Sequence, residues 1–156
     1  MSVTIRNAMI TPAPVWGTRK DGSHVLNNNF LLIVRADVTA GLVELTFTFR
    51  EGFRCDGLSV PWAFHWFLKS WDNKNALYNV AGAVHDWLYT TKGYSVFNRE
   101  ACDDIFRGLL RESGIGRFKA GCADKAVEWF AGGKNHWGND DYKIADKCSM
   151  VVRFLC

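Results

Sequence analysis

Three short segments of the sequence carry side chains that can move a proton or hold a metal ion. His85 and Asp86 are adjacent, Asp56 lies in a segment with Gly, Ser and Pro, and Asp103 lies further along the chain. An imidazole beside carboxylates can act as a general base, and the same groups bind divalent metal ions. We therefore predict His85, Asp86 and Asp56 as the catalytic residues of any enzyme, and Asp56, His85 and Asp103 as the ligands of any divalent metal cofactor.

His85 is predicted to lie on a helix over residues 73–90. Apolar residues recur there at steps of three and four, at Leu77, Val80, Ala81, Val84 and Leu88. His85 falls beside this apolar stripe, whereas Asp86 points about 100° away around the helix axis. Two interpretations stay open: a catalytic or metal-binding pair, or a core histidine next to an aspartate that bridges to a loop.

Asp56 belongs to a segment, residues 53–61, in which Asp precedes Gly and is followed by Ser59 and Pro61. Such residues are typical of turns, because their short oxygen-bearing side chains accept hydrogen bonds from nearby N–H groups. The segment is either a turn of purely local importance or a loop that delivers Asp56 and Ser59 to the helix face of His85.

Asp103 is predicted to lie near the buried side of a second helix, over residues 99–112, that Asn98 can cap. It shares a row with Phe106, and a bare carboxylate on an apolar face is costly, so Asp103 needs a partner. Three side chains qualify: His85, Arg54 and Arg99. Two further predictions concern neighbours: Arg99 could instead pair with Asp86, and Asp104 is expected to be an exposed charge beside Arg107 and Arg111.

The elements that position these residues indicate an α+β domain. Branched and aromatic residues predict an antiparallel hairpin, with strands over residues 30–37 and 42–49, a weaker strand over 2–10, and a loop over 21–29. A third helix is predicted over 118–131 and an edge strand over 150–155. We therefore expect an N-terminal antiparallel sheet or hairpins packed against about three C-terminal helices. The single domain, 1–156, would have a strand-rich part, 1–61, a helical part, 72–133, and a loop and tail, 134–156.

Composition narrows the class of protein. The chain is 48% hydrophobic with a net charge of +3, and its basic residues form no run of the kind that nucleic acid attracts. Its apolar runs are too short to span a bilayer and no signal peptide is visible, so we expect synthesis in the cytoplasm without membrane insertion. Seven Trp and eleven Phe suit either a dense core or a contact surface.

Cysteine usage points to free thiols. The five cysteines, at positions 55, 102, 122, 148 and 156, form no C-x-x-C pair, which disfavours a structural zinc site. Their odd number leaves at least one thiol without an internal partner. Cys156, the last residue, is the candidate for a disulfide to a neighbouring chain.

The motifs as a set resemble a domain-of-unknown-function family of small proteins from tailed bacteriophages and prophages. The matching patterns are F-x-x-D-G-x-S-x-P from Phe53, H-D-x-L-Y from His85 to Tyr89, and R-x-x-C-D-D from Arg99 with Phe106 in the next turn. A later A-V-x-x-x-x-G-G-x-x-x-W stretch ends at Trp137. The resemblance covers roughly residues 50–138 and implies a phage setting, but no reaction.

Two functional hypotheses follow. In the first, the chain is a virion component or accessory protein of the tail or baseplate, associated with other phage structural proteins and able to self-associate. Its polar residues would then brace the fold as a structural cluster: Asp56, Ser59, His85, Asp86, Tyr89, Arg99 and Asp103. In the second, the same groups serve a small metal-assisted hydrolase that acts on the bacterial cell envelope.

Overall fold

The computed structural model describes residues 1–57, 68–90, 96–130 and 146–156; for residues 118, 124 and 126–130 only the backbone is described. Along the chain these residues form seven strands and three helices, in the predicted α+β arrangement. The elements are β1 (Val3–Thr11), β2 (Trp16–Thr18), β3 (His24–Leu26), β4 (Phe30–Val38), β5 (Gly41–Phe49), β6 (Arg54–Cys55), α1 (Ala76–Leu88), α2 (Arg99–Glu112), α3 (Arg117–Phe130) and β7 (Cys148–Phe154).

The main sheet is antiparallel, with the strand order β1-β4-β5-β7. Its centre is the predicted hairpin of β4 and β5, which closes where Val38 pairs with Gly41. In both strands alternate side chains are buried, because one face of the sheet packs on the helices. The predicted C-terminal edge strand is confirmed as β7.

Aromatic side chains fill the space between the main sheet and the helices. Five Phe side chains are fully buried: Phe30, Phe47, Phe49, Phe53 and Phe106. Phe30 stacks on Phe49 with ring centroids 4.8 Å apart, and Trp87 of α1 meets Phe47 edge-on at 6.1 Å. Much of the phenylalanine excess therefore belongs to a dense core.

The helices begin where capping residues allow. The Asn75 side chain accepts a hydrogen bond from the Tyr78 N–H at the start of α1, and Asn98 accepts one from the Ala101 N–H at the start of α2. The cap at Asn98 and the bounds of α2 are as predicted, whereas α1 is shorter than the predicted 73–90. No helix in the described part of the chain is long and apolar enough to cross a membrane.

A second sheet of three short strands, in the order β2-β3-β6, corrects one prediction. Residues 21–29 were expected to form only a loop, yet His24–Leu26 is a strand, β3, that pairs with both β2 and β6. Three residues are too few to show an alternating pattern, so the strand depends on partners distant in sequence. This small sheet brings the Asp56 segment towards α1.

Candidate functional site

Two of the predicted residues, His85 and Asp103, meet at the interface between α1 and α2. The His85 Nε2 atom lies 3.5 Å from the Asp103 Oδ1 atom. The Tyr89 hydroxyl, one turn beyond His85 on α1, donates a hydrogen bond of 2.5 Å to the same oxygen. The predicted partnership of Asp103 with His85 is thus present, and Tyr89 is the more tightly bound of the two.

The His85 ring is enclosed by aromatic side chains. Its centroid lies 4.2 Å from that of Tyr89 and 4.7 Å from that of Phe106, and the side chain is only 9% exposed. The Nε2 atom is fully buried and makes no well-formed hydrogen bond among the described residues. Its distance to Asp103 is within reach for charge pairing, but its geometry is poor for a hydrogen bond.

Opposing influences act on the Asp103 carboxylate. Partial burial raises its pKa, but the His85 ring, the Tyr89 hydroxyl and the charge of Arg99 outweigh burial, so the net pKa is lowered. Conversely, burial and the nearby Asp103 carboxylate raise the pKa of Tyr89. The group therefore favours an ionised Asp103 and a neutral Tyr89 as hydrogen-bond donor.

Asp86 faces a different element from His85, as their divergence around the helix predicts. The Cys55 thiol of β6 donates to the Asp86 Oδ2 atom at 3.7 Å. Burial raises the pKa of Asp86 to about 6, the charge of Asp56 adds to this rise, and His85 and the thiol oppose it. Burial, and next the Asp86 charge, also raise the pKa of Cys55. The contact joins α1 to the small sheet.

Asp56 lies exposed just after β6, and the following glycine fixes the turn. Gly57 has a φ angle of +79°, and a Cβ atom there would lie 2.5 Å from the Ser70 carbonyl oxygen. Its N–H donates to the Cys55 Sγ atom at 3.3 Å. Position 57 therefore requires a glycine, and the charge of the preceding Asp56 lies close enough to Asp86 to act on its pKa.

Sequence reasoning missed an aromatic group beside Asp56. The His24 ring stacks on Trp71 with centroids 3.6 Å apart, and Trp16 meets Trp71 edge-on at 5.3 Å. Burial lowers the pKa of His24, and the charge of Asp56 partly offsets this effect. Trp71 lies more than 40 residues along the chain from His24 and Trp16, so no local pattern could have revealed the group.

The predicted metal-ligand set is not assembled. Within the described ranges no three His, Cys, Asp or Glu side chains converge to hold a metal ion. Asp103 lies with His85 between α1 and α2, whereas Asp56 lies beyond β6 near Asp86 and His24. Helical geometry separates the two faces of α1, which explains the mismatch. Ser59, the remaining member of the predicted structural cluster, lies outside the described residues.

Arg99 acts on Tyr89 and on Asp103, for which it is one of the three predicted partners. One prediction about a charged residue needs correction. Asp104 is half-buried and not an exposed charge, because its carboxylate accepts a 3.0 Å hydrogen bond from the Val3 N–H and pairs with Arg107 at 3.2 Å. Asp104 thus ties β1 to α2. Helical periodicity could not show that a strand runs past this face.

None of the five cysteines is joined in a disulfide in the structure. Cys55, Cys102 and Cys148 are buried, Cys122 is half-buried and Cys156 is exposed. Exposure leaves Cys156 available for the predicted intermolecular disulfide, which stays a prediction. The buried thiols behave as small apolar side chains.

The arrangement allows two roles, one structural and one chemical. The Tyr89–Asp103–His85 group can hold α1 against α2, and the Asp86–Cys55 contact can hold α1 against β6. Alternatively, Asp86, with its pKa of about 6, can exchange a proton near neutral pH next to the exposed Asp56.

Comparison with known proteins gives a family but no activity. The model of the family DUF1353, described as a protein of unknown function, matches residues 34–127. No curated protein and no solved structure matches the chain. The matched range is more than half of the chain and includes Asp56, His85, Asp86 and Asp103. The chain therefore belongs to the DUF1353 family of proteins of unknown function.

Proposed function

We propose that the protein is a structural or accessory component of a bacteriophage virion, of the tail or baseplate, in which the Asp/His cluster braces the fold. The observation that carries the brace is the Tyr89–Asp103 hydrogen bond of 2.5 Å between α1 and α2. Both polar groups are hydrogen-bonded to each other within the chain. An internal contact of this kind favours a scaffold over a reacting centre.

Two further polar contacts also join separate elements. Cys55 of β6 donates to Asp86 of α1, and the Asp104 carboxylate binds the Val3 N–H of β1. Hydrogen bonds to charged groups contribute about 1.5–3 kcal/mol each, and leaving such a group buried without a partner costs more. Together they would fix α1 between α2 and the small sheet.

The phage setting is supported by the motif resemblance, with Phe53 to Gly57, His85 to Tyr89 and Arg99 to Phe106 as its main segments. The surface adds support, because large apolar side chains lie exposed on the main sheet and near it: Met9, Val15, Val151 and Phe154. Contacts with other phage structural proteins would cover such side chains.

Mass spectrometry of particles purified from the phage or induced prophage that encodes the chain tests the proposed setting. We expect peptides of the protein at a constant ratio to tail proteins through successive density gradients. A protein present in the lysate but missing from purified particles would overturn the virion proposal.

A small hydrolase acting on the cell envelope is the second candidate, and one specific observation favours it. Asp86 is a half-buried carboxyl group with a pKa of about 6 near the exposed Asp56, so the pair could supply an acid and a base. The described residues offer no three-ligand metal site, so proton transfer is the chemistry that they support.

Incubation of the purified protein with bacterial envelope fractions, with mass analysis of soluble products, tests this candidate. Activity that vanishes in Asp86→Asn while the melting temperature is maintained would support a hydrolase. Tyr89→Phe is the matched control, because it weakens the α1–α2 contact without touching Asp86. Equal activity in the parent protein and Asp86→Asn would exclude the proposed role of Asp86.

A further inference from the structure

The strand β7 borders the main sheet, and its outer side pairs with no other strand of the described chain. Its orientation follows from two hydrogen bonds: the Leu155 N–H donates to the Leu42 carbonyl, and the Arg50 N–H donates to the Lys147 carbonyl. The backbone N–H and C=O groups of the odd-numbered residues in this strand therefore point towards β5. The outward N–H and C=O groups belong to even-numbered residues, which are Cys148, Met150, Val152 and Phe154.

The opposite edge of the sheet, at β1, is covered. The Asp104 carboxylate binds the outward Val3 N–H, and Ile5 packs directly on Gly108 of α2. The register of β1 also shifts between Ile5 and Asn7, which interrupts its ladder. Irregular pairing and a covering helix are common means of preventing sheet edges from binding other strands.

In the part of the chain that the structure describes, the β7 edge has none of these features. Its sequence, Cys-Ser-Met-Val-Val-Arg-Phe, contains no Lys, Pro or Gly, and its pairing with β5 is regular over seven residues. Its one charge, Arg153, is bound to Glu44 at 2.7 Å. Val151 is 65% exposed and Phe154 is 61% exposed. A regular, apolar, unprotected edge is a site for strand addition.

We propose that the β7 edge pairs with the β7 edge of a second copy of the chain, antiparallel, with Val152 on the twofold axis. Phe154 then lies opposite Met150 of the second copy, and Arg153 lies opposite Val151. No like charges meet in this register. Moving the axis to Met150 would set Arg153 against Lys147, two charges of the same sign.

The second copy suits this edge because the register is self-complementary. Residues 148–156 are symmetric about residue 152, so the outward N–H and C=O groups of each copy meet those of the other. The two four-stranded sheets become one continuous sheet, and Cys156 falls opposite Cys148. This inference concerns assembly and does not depend on whether the protein is a virion component or a hydrolase.

Light scattering coupled to gel filtration, over a series of protein concentrations under reducing conditions, tests the dimer. We expect the parent protein to reach twice the chain mass of 17.6 kDa. Val152→Pro removes an outward N–H but no hydrogen bond to β5, and Phe154→Lys adds a charge to an exposed position. Both should be monomeric with a circular-dichroism spectrum like that of the parent. If Val152→Pro fails to fold, Phe154→Lys alone decides.

Met9→Lys is the matched control, because Met9 is 56% exposed on the opposite edge strand and the charge change is the same. It should remain dimeric. A parent protein that is monomeric at every concentration would overturn the proposal, and so would a dimer that survives Phe154→Lys or is lost in Met9→Lys.

Oxidation with diamide tests the register. Each cross-link forms when two thiols lose their protons and two electrons to diamide, which is reduced to the hydrazine. Because Cys148 is buried, the test uses Val152→Cys in a Cys156→Ser background, in which the two new thiols lie opposite each other on the axis and should cross-link the copies. Cys156→Ser alone should form no such cross-link, and its absence in the Val152→Cys variant would show that Val152 is not on the axis.

Discussion

The Tyr89 hydroxyl and the Asp103 carboxylate form a 2.5 Å hydrogen bond that joins α1 to α2. The bond has a second effect, since a donated proton favours the ionised carboxylate and contributes to the lowered pKa of Asp103. Stability and charge state at this interface are therefore linked through one hydroxyl group.

Tyr89→Phe should reduce the free energy of unfolding by about 1.5–3 kcal/mol, the range for a hydrogen bond to a charged group. Tyr78→Phe is the matched comparison, because the Tyr78 hydroxyl donates to the neutral carbonyl of Lys69. That loss should be smaller, about 0.5–1.5 kcal/mol. Urea denaturation measures both. A larger loss at Tyr78 would show that the carboxylate adds nothing to the Tyr89 contact.

Much of the fold could be predicted because its signals are local. The Asn98 cap and apolar periodicity gave the bounds of α2, and alternation gave the β4–β5 hairpin. The same periodicity placed Asp103 near the buried side of its helix. It left three partners open for Asp103, which are His85, Arg54 and Arg99, and only the packing of α1 on α2 shows that His85 lies beside it.

The rest of the site depends on pairings between distant segments. The Cys55–Asp86 contact and the His24–Trp71 stack each join residues more than 30 positions apart in the sequence. The exposure of Asp104 was predicted wrongly for the same reason, because it is β1, a distant segment, that covers this side chain. No spacing within one helix can reveal a neighbour contributed by another element.

Asp86 gives a pH prediction of definite sign. Its pKa is about 6 in the folded protein, above the ordinary value of 3.8. The folded state therefore binds this proton more tightly, so the stability it contributes is complete below pH 3.8 and is lost as the pH rises through 6. Lowering the pH from neutral to about 5 should stabilise the parent protein relative to Asp86→Asn, by roughly 1 kcal/mol.

Denaturation at several pH values measures the difference in the free energy of unfolding between the parent protein and Asp86→Asn. Other titrating groups, including Asp103, are common to both proteins, so their effects cancel to first order. Asp103 acts with the opposite sign, because its lowered pKa makes its contribution disappear as the pH falls below the ordinary carboxyl range. A difference between the two proteins that is independent of pH from 5 to 7 would contradict the raised pKa of Asp86.

The Asp104 carboxylate should anchor β1. Asp104→Ala leaves the Val3 N–H and Arg107 without their shared acceptor, and we expect a loss of about 1–3 kcal/mol. Glu112→Ala is the control, because Glu112 is an exposed acidic residue on the same helix. Amide hydrogen exchange should show faster exchange in β1 but not in β5. Unchanged protection of β1 would argue against the anchor.

Gly57 should be the least replaceable glycine among the turns described. Gly57→Ala both imposes a φ angle of +79° on a residue with a Cβ atom and drives that atom to 2.5 Å from the Ser70 carbonyl oxygen. Gly114→Ala isolates the first effect, since Gly114 has a φ angle of +88° with open space around it. We expect a loss of about 1 kcal/mol at Gly114 and of more than about 2 kcal/mol at Gly57.

Thermal and urea denaturation of the two variants give the comparison directly. The excess loss at Gly57 should be accompanied by a lower pKa of Asp86, because displacement of the turn opens the Cys55–Asp86 contact to water and reduces the burial that raises that pKa. The pKa of Asp86 is measured from its carboxyl chemical shift as a function of pH. Equal losses at the two glycines, with an unchanged Asp86 titration, would mean that the Gly57 turn does not hold the small sheet against α1.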